Sequence, residues 1–299
     1  MSAQPPPAAR QLPTRMVDKV WGRDVLPAPF VAPAGERIGE IWFEPPPELP
    51  QVLVKYLFTS EKLSVQVHPS DAQALAGEAG KEECWLVLDA EDDARLAIGF
   101  ARDVTSQEIA AAARDGTIEQ LLVWHPACAG DLFYLPAGTV HAIGPGLALV
   151  EVQQASDTTF RLYDYGRPRE LHLERGLAVA KGEPYGAEHH RRIEDGAVLV
   201  DGPYFRLDRI VGAPDAATSA SFDSALLALP LAGSVTASDG GARAGAGECL
   251  YAPGLDALDF SDAEVTLLVR VPVRGMRFSG RGVCVWDLPL LRRPADSSL

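Results

Sequence analysis

Gln66, His68, Glu83 and His141 are the residues whose types and spacing suit chemistry: two imidazoles, one carboxylate and one neutral amide. Nitrogen and oxygen donors of this kind suit zinc, iron or manganese, and a catalytic metal site keeps one position open to water or substrate. One carboxylate among three neutral ligands leaves a divalent ion with net positive charge, able to polarise a carbonyl or stabilise an enediolate. A single histidine or glutamate in a strand is more often a satisfied half-buried residue. What favours a metal is that all four fall on faces that strand periodicity turns inward.

The periodicity is read from three stretches. Residues 62–69, KLSVQVHP, alternate cleanly, with Leu63, Val65 and Val67 on one face and Ser64, Gln66 and His68 on the other. The apolar face is expected to pack outward against a second sheet. A polar face looking into a barrel is costly unless it is hydrogen-bonded or holds a ligand. In residues 80–88 the same alternation groups Lys81, Glu83 and Trp85 against Glu82 and Cys84, so Glu83 is the carboxylate expected inside. In residues 130–141 the spacing is Gly130, five residues, Pro136, one residue, Gly138, two residues, His141. A Pro-x-Gly turn reverses the chain at a set register, and His141 then shares a face with Thr139 and Ile143. This spacing is similar to the second sequence motif of the cupin superfamily of small β-barrels.

Other elements frame these strands. Thr105 and Glu108 have the form of a capping box before a helix, which Gly116 is expected to break in two. Residues 148–153 alternate as a strand, residues 157–165 place Arg161, Tyr163 and Tyr165 on one face, and a short helix is expected over 170–180. Arg161 and Lys81 each share a face with a site residue or an aromatic row. Tyr163 and Tyr165 read as packing residues, and His125, His172, His189 and His190 lie on no inward row.

With 299 residues, nearly half apolar, the chain is long enough for two domains. Its 41 acidic against 27 basic residues give a net charge of -14, which argues against a phosphate-tracking nucleic-acid surface while leaving room for a local basic pocket. Cys84, Cys128, Cys249 and Cys284 are far apart and form no Cys-x-x-Cys pair, which reads as reduced thiols and a cytoplasmic setting. Residues 1–14 read as a disordered leader without the apolar core of a signal peptide, and no stretch suits a membrane span. Residues 15–185 form the expected metal-binding unit. Residues 186–299 read as a second, degenerate barrel, because GECLYAPG at 247–254 repeats the Gly, five residues, Pro spacing with no histidine after it. The expected fold is therefore mainly β: two jelly-roll barrels of the cupin type with a few short helices.

Several motifs in order carry a closer resemblance: KLSVQVHP at 62–69, GKEECW at 80–85, GTVHA at 138–142, QQASDTTFR at 153–161 and RELH at 169–172. Over residues 19–182 the chain resembles the type I mannose-6-phosphate isomerases in their short bacterial form. The resemblance implies one zinc ion per chain held by Gln66, His68, Glu83 and His141, an active-site arginine at Arg161 and a lysine at Lys81. It implies interconversion of mannose 6-phosphate and fructose 6-phosphate through an enediol; Lys81, with Lys62 and Ser64 behind it, is the candidate for the phosphate end. The sequence departs from longer family members at Ile143, where they often present an aromatic hydroxyl, and at Glu82, where a small polar residue is usual. The other readings are a cupin-type metal-dependent oxygenase and a non-catalytic sugar-phosphate sensor. A sugar phosphate is the expected partner, with neither nucleic acid nor membrane, and a monomer and a dimer are equally open.

Overall fold

The computed structural model describes residues 8–193 and 197–272. Residues 1–7 of the expected leader and Cys284 in the C-terminal segment lie outside them. Among the described residues, the chain is mainly β, in three antiparallel sheets with four short α-helices. No helix there is long and apolar enough to cross a membrane.

A seven-stranded sheet runs in the order His190–Arg192, Asp131–Leu135, Glu83–Ala90, Leu147–Gln154, Val52–Phe58, Ile38–Phe43 and Thr14–Arg23. Facing it is a five-stranded sheet in the order Phe160–Tyr163, Val65–Val67, His141–Ile143, Arg95–Phe100 and Leu122–Pro126. Between the two lies a core of Trp21, Leu57, Trp85, Val87, Ile98, Phe133 and Leu149. The outer face of the seven-stranded sheet is buried as well. Ile41, Phe43, Tyr56, Phe58, Leu86 and Val150 pack there against Leu207, Leu227, Leu267 and Val269 of the third sheet. Burial on both faces explains why the strand Leu147–Gln154 is buried at every position.

The third sheet has eight strands, built on Leu226–Ala237, Ala263–Arg270, Arg206–Val211 and Ala197–Asp201, with a separate core that includes Phe222, Leu250 and Leu268. The second GxxxxxP stretch does form a strand, Leu250–Ala252. Two strand pairings cross the expected boundaries. Arg10 and Gln11, placed in a loose leader by composition, pair with Tyr251 and Leu250 of the third sheet. Strand pairing of His190–Arg192 with Asp131–Leu135 carries the first pair of sheets beyond residue 185.

Two further expectations are corrected. The strand through the KLSVQVHP stretch is only Val65–Val67, and its apolar face meets Ile109, Ala112 and Val179 of the helices rather than a second sheet, while Leu63 turns into the inner core. On the strand Phe160–Tyr163 the register shifts between Arg161 and Tyr163, so Tyr163 and Tyr165 join the helix-side cluster and do not share a face with Arg161. The capping box forms as expected, with Thr105 and Glu108 exchanging hydrogen bonds, and Gly116 ends the helix Ser106–Asp115 in the left-handed conformation. The later helix is shorter than its pattern, Leu173–Val179.

Gly130 and Gly138 frame the strand and turn that lead to His141, and both have positive φ, 89° and 88°. A Cβ at Gly130 meets open space, whereas one at Gly138 comes within 2.9 Å of the Val179 carbonyl oxygen. Gly130→Ala is therefore expected to lose only the left-handed penalty, about 1–2 kcal/mol. Gly138→Ala adds a backbone collision and should lower the unfolding midpoint clearly more; equal midpoints in a thermal melt of the two variants would refute this.

Candidate metal centre and active site

The Pro136 to Gly138 turn is pinned to the neighbouring strand end, with Gly138 N–H donating to His68 O at 2.9 Å. His141 then enters its strand directly opposite Gln66, and Gln66 is in turn opposite Arg161. Residues opposite one another in antiparallel strands share a face, so Arg161, Gln66 and His141 form one inward row. His68 follows at the end of the strand, before Pro69. Glu83 comes from the facing sheet, where it begins the strand Glu83–Ala90 opposite Gln153 and Leu135.

These elements bring His68, Glu83 and His141 together, with ligand-type atoms all within 4.8 Å of one another. His68 Nε2 is 3.5 Å from Glu83 Oε2, and His141 Nε2 is 3.4 Å from Glu83 Oε1. Each imidazole has its other nitrogen beside a carbonyl oxygen: His68 Nδ1 at 3.0 Å from Thr158 O, His141 Nδ1 at 2.9 Å from Thr139 O. A carbonyl only accepts, so both Nδ1 atoms carry the proton and both Nε2 lone pairs face Glu83. Burial lowers the pKa of both histidines, that of His141 to about 3, and keeps them neutral. Burial alone would raise Glu83, but Lys81 together with the two flanking histidines more than offsets it, and its pKa lies well below the usual value. Neither Glu83 oxygen makes a well-directed hydrogen bond, although Lys81 Nζ stands 3.0 Å from Oε2.

Lone pairs thus meet lone pairs in a buried pocket, which is costly for hydrogen bonding and is what a cation requires. Gln66 fits the same centre. Its amide nitrogen is 3.3 Å from His141 Nε2, and Ser64 donates to its amide oxygen at 3.2 Å. Rotating the amide by half a turn presents the oxygen to the centre and leaves the Ser64 hydroxyl as an acceptor.

The other expected site residues part ways. Lys81, on the face it was expected to share with Glu83, is buried beside the cluster, 3.4 Å from His68 Nε2. Burial would lower its pKa, but Glu83 and Glu151 raise it to about 12, which makes it a fixed positive charge and a poor base. Lys62 is turned away: its ammonium pairs with Glu119 at 2.6 Å and lies over the Trp124 and Tyr165 rings. Arg161 reaches Glu170 O with one guanidinium nitrogen at 2.6 Å, while its Nε is buried without a partner. Glu82 faces the opposite side, hydrogen-bonded by the Tyr134 hydroxyl, so Glu83 alone enters.

A cavity of about 880 Å³ opens beside the cluster, lined by Ser64, Gln66, Lys81 and Ile143 and by the cations Arg15, Lys19, Lys55, Arg161, Arg169 and Arg175. Glu40, Glu78, Glu151 and Asp157 also line it, so cations outnumber acids there in a chain of net charge -14. His172, expected to have no site role, is at its wall and accepts from the Arg161 backbone N–H at 3.2 Å. His125 and His190 instead lie beside Phe133. Periodicity missed Lys55, Glu151 and Glu40, which also line the cavity. Each is a charge set in an otherwise apolar strand, and that was the available signal.

No protein-family model matches the chain. It is 40% identical over 172 residues to mannose-6-phosphate isomerase ManA of Bacillus subtilis, covering 53% of this chain and 54% of that protein. It is 42% identical over 169 residues to mannose-6-phosphate isomerase of Streptococcus mutans, covering 52% of each. The chain thus spans about half the length of the curated relatives it matches. A crystal structure of the Bacillus subtilis mannose 6-phosphate isomerase superposes with a TM-score of 0.70 at 24% identity, over 88% of this chain and 100% of that one. A zinc-bound mannose 6-phosphate isomerase gives 0.66 at 15% identity, over 89% and 100%. The chain accordingly has the fold of the mannose-6-phosphate isomerases and, over about half its length, resembles them in sequence.

Proposed function

We propose that the protein is a zinc-dependent aldose-ketose isomerase that interconverts mannose 6-phosphate and fructose 6-phosphate. The observation that carries the reading is the convergence of two imidazole nitrogens and a carboxylate, without hydrogen bonds between them, next to Gln66 and Lys81 in the wall of a cation-rich cavity. His68, Glu83, His141 and Gln66 would hold the ion. When bound, zinc would supply Lewis-acid polarisation of the sugar oxygens at C1 and C2.

The remaining roles belong to the chain. Glu151 faces the cavity from the strand next to Glu83, with one oxygen held by Lys55 and the other by Trp85. It is our candidate for the base that the reaction needs. In the aldose the C2–H bond breaks, the proton goes to Glu151, and the electron pair becomes the C1=C2 bond of the enediol as O1 gains a proton. Return of the proton from Glu151 to C1, with loss of the O2 proton that balances the one taken up at O1, completes the ketose without any oxidant or reductant. Lys81 adds fixed positive charge beside the reacting oxygens. Arg161, in one row with Gln66, grips the open-chain sugar, and Arg175 faces the phosphate at the rim. Ser64 orients the Gln66 amide, and Lys62 braces the outside. Both relatives named above carry the same activity in their names, and a cationic cavity suits a sugar phosphate better than the apolar substrate of an oxygenase. Cys84, Cys128 and Cys249 are free, in keeping with a cytoplasmic setting.

A coupled assay following mannose 6-phosphate to fructose 6-phosphate is expected to show turnover that chelation abolishes and zinc restores. Zinc-loaded protein without turnover would refute the isomerase, and oxygen consumption with iron would favour an oxygenase. Glu83→Gln should purify folded but without stoichiometric zinc; normal zinc content would remove Glu83 from the ligand set. Arg161→Ala should lower kcat by about two to three decades, the usual loss for an electrostatic stabiliser. Near-normal turnover in that variant would assign Arg161 to structure alone.

A further inference from the structure

Lys55, Glu151 and Trp85 stand in register on three neighbouring strands of the seven-stranded sheet, with Glu151 in the middle. Glu151 Oε1 accepts from Lys55 Nζ at 2.8 Å, and Oε2 accepts from Trp85 Nε1 at 2.9 Å. The three are 5%, 4% and 0% exposed. On the same face the next row is Leu57, Leu149 and Val87, so apolar side chains suit this part of the sheet. A buried ion pair contributes little net stability, because desolvation offsets its attraction and apolar residues of similar volume pack as well. Its presence at the cavity wall therefore calls for a reason other than folding.

The donors are themselves held. Lys55 Nζ lies 4.8 Å from the centre of the Trp42 ring, and the Trp42 indole donates to Glu40 at 2.8 Å. On the other side the Trp85 ring meets His141 edge to face, with centroids 5.3 Å apart. One donor per oxygen, from opposite directions, fixes both the position and the plane of the carboxylate. About two of its four lone-pair sites remain for a substrate proton. A base held in this way needs no reorientation when the substrate arrives.

We infer that Lys55 and Trp85 are positioning residues that clamp the Glu151 carboxylate from both sides at the wall of the cavity that takes the sugar. The inference rests on the isomerase reading, in which Glu151 carries the proton as written above. Lys55→Met keeps the length and the burial and removes the charge.

Lys55→Met is expected to lower kcat about 100-fold, within the range for a disturbed general base, with KM little changed. The kinetic isotope effect with mannose 6-phosphate deuterated at C2 should rise, because proton transfer becomes slower than the other steps. Lys55→Arg should recover part of the rate. Zinc content and unfolding midpoint are measured alongside, and in 15N-tryptophan spectra the Trp85 Nε1–H resonance should move when Glu151 is released. Unchanged kcat and isotope effect in folded, zinc-loaded Lys55→Met would overturn the clamp. So would a lost rate that Lys55→Arg does not recover, together with an unmoved indole resonance. Should Lys55→Met fail to fold, Trp85→Phe removes the other donor and must show the same kcat and isotope-effect pattern. If the wild-type protein does not turn over mannose 6-phosphate, the isomerase reading falls, and the indole resonance alone decides the clamp.

Discussion

Two imidazole nitrogens and a carboxylate with their lone pairs aimed at one another are an arrangement that a fold must impose, because the side chains would not choose it. Both histidines are tied from behind by carbonyl oxygens, and Glu83 is supplied by the other sheet. The repulsion is tolerated because the surrounding strands are already fixed by burial on both faces and cannot relax. Lys81 is the only positive group in immediate contact with Glu83 among the described residues, and one ammonium does not satisfy both oxygens. The inner row of the five-stranded sheet, the turn at Gly138 and the packing of the third sheet against the seven-stranded one all serve to hold that centre.

Much of this was readable in advance, for a physical reason. A strand has a period of two, so once a strand is recognised, the facing of Gln66, Glu83 and His141 follows, and so does the exclusion of Glu82. The capping box at Thr105 and the turn at Gly138 were equally legible, because both depend on local dihedrals and local hydrogen bonds. Periodicity failed where the strand itself was interrupted. Leu63 was grouped with Val65 and Val67, but the strand begins only at Val65, and Leu63 packs on the other side of the sheet. Tyr163 was grouped with Arg161, and the register shift between them separates the two. A bulge is a tertiary feature that alternation cannot announce.

What lay beyond sequence reasoning was partnership. Lys62 precedes a strand of site residues, and nothing in its neighbourhood indicates that Glu119, far along the chain, captures it. Lys55 and Glu151 read as isolated charges in apolar strands, and only strand register shows that they oppose one another with Trp85 completing the row. For Lys81, alternation already placed it beside Glu83, and only its approach to His68 depends on how the two sheets face. Long-range pairing sets the electrostatics of this site, and local pattern sets only which residues are eligible.

The short strand at Arg10 and Gln11 has its own consequence. Its partners, Tyr251 and Leu250, lie far along the chain, and Arg10 also lies over the Tyr251 ring while pairing with Glu48. During synthesis this segment emerges early and must wait for most of the chain before its strand can form. Meanwhile the adjoining strand Thr14–Arg23 can already dock on Ile38–Phe43. The segment therefore works as a late-closing strap between two regions far apart in the chain.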